Sequence, residues 1–129
     1  MKPTPTLTAT DYEILRKLVK NAKDATNIRE IALLTEELDR AIVAKDNVVD
    51  SNTIRLNSYA VVEDVNNKQQ MKIQIVMPSA SNVKEGKISI LAPLCVAIIG
   101  FKENDTVDWL LPSGKKTLKI ITVSNNLNN

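Results

Sequence analysis

The spacing of apolar residues changes once along this 129-residue chain, near residues 46–52. Before that point, apolar side chains recur every three or four residues, as on one face of an α-helix. After it, they mostly alternate with polar residues, as on a half-buried β-strand. This order predicts an α+β protein in which a short antiparallel helical hairpin precedes an antiparallel sheet wrapped on one short helix.

The hairpin is predicted over residues 11–46. Thr10 and Glu13 have the spacing of a capping box, which predicts the start of a first helix. Asn27 and Glu30 repeat that spacing and predict the start of a second helix. The few polar residues between the two helices leave room only for a tight turn, so we expect the helices to run antiparallel.

Both ends of the chain are predicted to be loose. Residues 1–10 form a flexible arm, because Pro3 and Pro5 oppose a helix there. The asparagine-rich residues 125–129 are expected to form a disordered tail.

The sheet domain is predicted over residues 53–124, with turn signals between its strands. Six segments are strand candidates: 54–56, 59–65, 71–77, 87–91, 106–111 and 115–123. Between the fourth and fifth, Pro93 suits the first position of a helix and Gly100 suits its end. A short apolar helix over residues 93–99 is therefore expected, with most of its side chains in the core.

The composition argues against several classes of function. The net charge of +2 and four scattered aromatic residues give no platform for DNA or RNA, so nucleic-acid binding is not expected. No apolar run approaches the roughly 20 residues of a membrane span. Cys95 is the single cysteine and has no disulfide partner, which favours a cytoplasmic protein with a buried thiol.

The same composition leaves few means of catalysis. The chain contains no histidine, which removes the commonest general base and metal ligand. Its three glycines are too far apart for a phosphate-binding loop. We therefore expect no cofactor, no metal site, no catalytic residues and no enzymatic activity of its own.

The segment 90–114 contains a distinctive series of residues. In order they are Ala92-Pro93, Gly100, Asp105, Trp109 and Leu111-Pro112-Ser113-Gly114. This series resembles the C-terminal domain of the Gre-type transcription elongation factors, and most closely that of the short-coiled Rnk branch (regulator of nucleoside diphosphate kinase). The resemblance implies an FKBP-like C-terminal fold and a bacterial protein that binds RNA polymerase.

The resemblance raises the question of transcript cleavage, because Gre-type factors have acidic residues at the tip of a long coiled coil that help to hold a catalytic Mg²⁺. Here the predicted tip has one acid, Asp24, beside Lys20 and Lys23. The first helix, of about 11 residues, would reach roughly 17 Å. Stimulation of transcript cleavage is therefore not expected.

The resemblance also implies a docking loop at the rim of the polymerase secondary channel. Carried over residue by residue, that loop consists of Leu91, Ala92, Pro93 and Leu94. Folding alone explains the same residues equally well, with a proline that starts a helix and two leucines in the core.

Two other functions stay open. One is an FKBP-like prolyl isomerase, although four aromatic residues make a proline-binding pocket hard to assemble. The other is weak transcript cleavage through Asp24, with Glu30 as a second acid. The oligomeric state is left open.

Overall fold

The computed structural model describes three stretches of the chain: residues 4–21, 28–111 and 114–125. Helix α1 spans Ala9–Asn21 and helix α2 spans Ile28–Arg40. Strand β1 (Thr6–Thr8) leads into α1, strand β2 (Ile42–Ala44) follows α2, and the two strands pair in parallel. Because β1 and β2 lie side by side, the start of α1 is next to the end of α2, so the helices run antiparallel.

Five more strands form one sheet: β3 (Tyr59–Asp64), β4 (Gln70–Val76), β5 (Lys87–Ser89), β6 (Thr106–Leu111) and β7 (Gly114–Ser124). Their order across the sheet is β5-β4-β3-β7-β6. Neighbours are antiparallel except β4 and β5, which are parallel. The connection between those two contains the 3₁₀ turns Pro78–Ala80 and Val83–Glu85, which bring the chain back beside Gln74–Val76, the last three residues of β4.

Helix α3 (Pro93–Ile98) follows β5, and its side chains share one buried cluster with the sheet and the hairpin. The hairpin contributes Leu15, Leu34 and Leu38 to this cluster, all almost fully buried. The buried run from Val96 to Ile99 confirms the expectation that these side chains belong to the core. Since one core includes both parts, the hairpin is packed on the sheet domain.

The predicted loose arm is wrong at Thr6–Thr8, which forms β1. Leu7 is buried, and the Thr6 N–H donates to the Gly100 carbonyl at 2.9 Å. Gly100 has a φ of +83°, and a Cβ there would lie 2.7 Å from the Cβ of Pro5. The absence of a side chain at Gly100 therefore lets the N-terminal segment reach the sheet domain.

The first helix begins at Ala9, so the predicted cap at Thr10 is wrong. Thr8 is the capping residue, since its Oγ1 accepts the Asp11 N–H at 3.0 Å. Thr10 instead donates to Asp46 from its N–H at 3.1 Å and from its Oγ1 at 2.5 Å. These two hydrogen bonds lower the pKa of Asp46 below its ordinary value, and the bond from the hydroxyl has the larger effect.

The predicted strand at 54–56 is also wrong. The neighbouring Thr53 makes only an isolated bridge to Lys102. Ile54 is fully buried, and its N–H donates to the Phe101 carbonyl at 2.8 Å. Ile54 and Leu56 therefore pack in or against the core, although the segment belongs to no strand in the described part of the chain.

Asn125 is held in place, unlike the disordered residue predicted there. Its amide donates to the carbonyls of Ser51 at 2.7 Å and Thr53 at 2.8 Å. The rest of the predicted tail lies outside the described residues. Among the described residues, no helix has the length and apolar character that a bilayer crossing requires.

Candidate functional site

The loop between β5 and α3 is a tight, hydrogen-bonded turn. The Ser89 hydroxyl accepts the Leu91 N–H at 3.0 Å, and the Ser89 carbonyl accepts the Ala92 N–H at 2.9 Å. Ala92 is extended, with φ −66° and ψ 141°, and Pro93 begins α3. Because the residue before a proline favours this extended conformation, the sequence itself fixes the shape of the loop.

The four residues predicted for docking divide into two pairs. Leu91 and Leu94 are each 8% exposed and belong to the buried cluster. Ala92 is half-buried and Pro93 is exposed. The leucines thus fasten the loop to the core, while Ala92 and Pro93 form an apolar surface, which we call the loop ridge.

Two hollows border the loop ridge, one at Pro93 and one at Ala92, and residues of α2 line both. The smaller, of about 90 Å³, is lined by Leu33, Glu36, Glu37, Pro93, Val96, Ala97 and Asp108. The larger, of about 330 Å³, is lined by Glu30, Pro78, Ser81, Ser89, Leu91 and Ala92. We call the two hollows and their shared wall the α2 valley.

The charged residues that line the α2 valley are all acidic: Glu30, Glu36, Glu37 and Asp108. Two of them form ion pairs with basic residues that do not line the valley. Glu37 Oε2 lies 3.3 Å from Arg40 Nε, and Asp108 Oδ2 lies 3.9 Å from Lys115 Nζ. On a chain with a net charge of +2, the valley is therefore a local concentration of negative charge.

At the hairpin tip, the structure places one of the three predicted residues. Lys20 is exposed in the last turn of α1, while Lys23 and Asp24 lie outside the described residues. Each helix of the hairpin has 13 residues, which corresponds to roughly 20 Å. Arg16 on α1 and Asp39 on α2 form an ion pair at 2.7 Å that links the two helices.

The remaining candidate for chemistry is Cys95, which is a residue of α3 and lies in the hydrophobic core. Burial raises the pKa of its thiol to about 12, so the nucleophilic thiolate is scarce at neutral pH. In the described part of the chain, no three histidine, cysteine, aspartate or glutamate side chains are grouped as metal ligands would be.

These features define a class of small two-part proteins, in which a helical hairpin packs on a five-stranded sheet with one short helix. Residues 49–125 match the family model of the C-terminal domain of the transcription elongation factors GreA/GreB. The match covers more than half of the chain. The chain belongs to the GreA/GreB family of transcription elongation factors.

Individual relatives agree with this assignment. A transcription elongation factor GreA from Beijerinckia indica is 32% identical over 105 residues, which are 80% of this chain and 67% of that protein. One from a Sulfurovum species is 36% identical over 101 residues, which are 77% of this chain and 62% of that protein. The chain thus spans about two thirds of the length of these relatives.

A solved structure covers nearly the whole fold. It is the prokaryotic transcription elongation factor GreA/GreB from Nitrosomonas europaea, which is 25% identical. The TM-score is 0.74, and the match covers 96% of this chain and 100% of the other. The similarity therefore includes the hairpin as well as the sheet domain.

Sequence reasoning missed the acidic wall of the α2 valley. Glu30, Leu33 and Glu37 share one face of α2, which the helical spacing shows. Their position opposite the loop ridge depends on how the hairpin packs on the sheet domain, and the spacing says nothing about that.

Proposed function

We propose that this chain binds bacterial RNA polymerase through the loop ridge and regulates transcription without an enzymatic activity of its own. Its binding place would be the rim of the secondary channel, where it would compete with other channel factors. The proposal rests on one observation: Pro93 is exposed at the start of α3, while Leu91 and Leu94 on either side of the loop ridge are buried. Membership of the GreA/GreB family supplies the partner.

The loop ridge is ordered in the free protein, which supports its role in binding. Two hydrogen bonds that Ser89 accepts, from the N–H groups of Leu91 and Ala92, and the fixed φ of Pro93 restrict the loop in the free protein. An ordered apolar contact loses little conformational entropy on binding, which favours affinity from a small area. The Leu91-Ala92 sequence before the proline further supports a place in the Rnk branch.

The hairpin supports a regulator that does not stimulate transcript cleavage. Its helices extend roughly 20 Å, and Asp24 is the one acid in the sequence of the turn. A single carboxylate holds a divalent cation much less well than two. Glu30, the second acid of the cleavage alternative, lies beside Ala92 in the α2 valley.

The packing of α3 disfavours the prolyl isomerase alternative. The side chains of α3 from Leu94 to Ile98 are all buried in one cluster with inward-facing residues of the sheet, such as Val107 and Leu118. These side chains fill the space between helix and sheet where a proline ring would need a pocket.

A binding experiment with core RNA polymerase tests the proposal. We expect the wild-type chain to be retained by immobilised core enzyme and to be displaced by a GreA protein. Pro93→Asp should abolish retention, because a charged residue would replace the apolar apex. Aspartate is well tolerated in the first turn of a helix, so this variant should still fold.

Val83→Asp is the matched control, since Val83 is 77% exposed and lines neither hollow of the valley. It should bind as the wild type does. No retention of the wild type, or equal retention of wild type and Pro93→Asp, would reject the proposed function. Binding to polymerase also implies a cytoplasmic location.

A further inference from the structure

The loop ridge is the middle of a larger surface whose other wall is α2. Ala92 borders the larger hollow and Pro93 the smaller one, so a partner that contacts the ridge also reaches both. On the α2 side it meets Glu30 in one hollow and Glu36 in the other. The chemistry of this wall should therefore select the partner.

The surface combines an apolar floor with an acidic wall. Leu33, Val96 and Ala97 line the smaller hollow together with Pro93. Glu36 is exposed and Glu30 half-buried. Because Glu37 is paired with Arg40 and Asp108 with Lys115, we expect Glu30 and Glu36 to contribute most of the negative potential of the valley.

From this arrangement, we infer that the α2 valley binds a basic segment of the partner protein. In that segment, an apolar side chain contacts Pro93 and a lysine or arginine beside it lies along α2. This inference rests on the proposed function and adds the chemistry of the partner to it. Glu36 is then a residue that determines specificity.

The physical fit is specific to such a side chain. Lysine and arginine have long aliphatic stems that cover apolar surface while the charged end stays near water. The stem suits the floor formed by Leu33 and Ala97, and the charged end suits Glu36. A nucleic-acid backbone does not fit, because its phosphates would face four carboxylates.

The contribution of the acids is mainly electrostatic, so it should appear in the rate of association. Complementary charges accelerate the encounter of two proteins, and salt reduces the effect. An apolar contact at Pro93 alone would depend little on salt. The salt dependence of binding therefore distinguishes the contribution of the acidic residues from that of the apolar loop ridge.

The test measures association of the full chain with core RNA polymerase at low and high salt. Glu36→Lys reverses the exposed charge of the wall, and Glu13→Lys makes the same change at an exposed position of α1 that lines neither hollow. We expect Glu36→Lys to slow association roughly tenfold at low salt and the difference to shrink at high salt. Glu13→Lys should behave like the wild type.

Four outcomes are distinct. Slow, salt-dependent association of Glu36→Lys alone supports the inference. Equal rates for Glu36→Lys and Glu13→Lys, with binding still lost in Pro93→Asp, would overturn the inference and leave the proposed function intact. No binding by the wild type would overturn both. Self-association of the wild type that Glu36→Lys removes would assign the valley to a second copy of this chain, against the inference.

Discussion

The carboxylate of Asp11, on α1, accepts a hydrogen bond from the backbone N–H of Leu56 at 2.9 Å. The two residues belong to the hairpin and to the sheet domain, so the bond joins the two parts of the molecule. Asp11 is only 8% exposed. This burial raises the pKa of Asp11 above its ordinary 3.8, despite the opposing effects of the Leu56 hydrogen bond and the nearby charge of Arg55.

The raised pKa of Asp11 predicts a distinctive pH dependence. The folded protein holds the Asp11 proton more tightly than the unfolded chain does, so protonation stabilises the fold as pH falls through the raised pKa. The gain is complete below the ordinary pKa of 3.8. The free energy of unfolding of the wild type minus that of Asp11→Asn should therefore increase from neutral to acid pH, as urea titrations at several pH values would show.

Asp46 gives the opposite sign and serves as the control. Its pKa is lowered, so its contribution is present above the ordinary value of 3.8 and is lost as pH falls through the lowered pKa. The difference between wild type and Asp46→Asn should thus decrease toward acid pH. If the free energies of unfolding of wild type and Asp11→Asn changed with pH in parallel, Asp11 would have the same pKa in the folded and unfolded protein, against the prediction.

A second prediction concerns Gly100, where the N-terminal segment meets the sheet domain. Gly100→Ala should lower the free energy of unfolding by about 3 kcal/mol or more, because a left-handed residue costs about 1–2 kcal/mol and the new Cβ also clashes with Pro5. Gly86→Ala is a matched comparison, with a φ of +77° and a nearest contact of 3.3 Å against 2.7 Å at Gly100. Urea denaturation of both variants should give the smaller loss for Gly86→Ala; equal losses would mean that the Pro5 contact relaxes freely.

The strands of the sheet domain show what local sequence can predict. The predicted strand at 106–111 coincides with β6, because alternation and flanking turns are local signals. Strand β1 was missed because its partners, β2 and Gly100, lie far along the chain. Likewise, the pattern at 54–56 has the apolar character of a strand, but the segment joins neither of the two sheets that the described residues form.

At the candidate site, too, local features could be predicted from the sequence, whereas contacts between distant segments could not. The docking loop was predicted at residues 91–94 because the sequence resembles Gre-type factors there, and the start of a helix at Pro93 was predicted from local sequence. Whether Leu91 and Leu94 face the core or solvent was open until their burial was known. The acidic wall required the packing of α2 against α3, and no local pattern contains that information.

Cys95 provides a third prediction, on reactivity. With a pKa of about 12, only about one thiol in ten thousand is ionised at pH 8. A thiol reagent should therefore label the folded protein very slowly, and the rate should rise with urea as the chain unfolds. The fully unfolded chain, which should react at once, is the control. Complete labelling within minutes in native buffer would contradict the buried position of Cys95 in α3.

The last prediction separates folding from docking within the loop. Leu94→Ala should lower the free energy of unfolding by about 2–4 kcal/mol, because it removes buried contacts and leaves a cavity. Pro93→Asp should cost less than about 1 kcal/mol, since Pro93 is exposed and an acid suits the first turn of α3. Urea denaturation of both variants, compared with their retention by core polymerase, gives the two effects separately. At temperatures where Leu94→Ala is folded, it should keep most of its binding, whereas Pro93→Asp should be stable and fail to bind; the reverse pattern would assign the contact to the leucine.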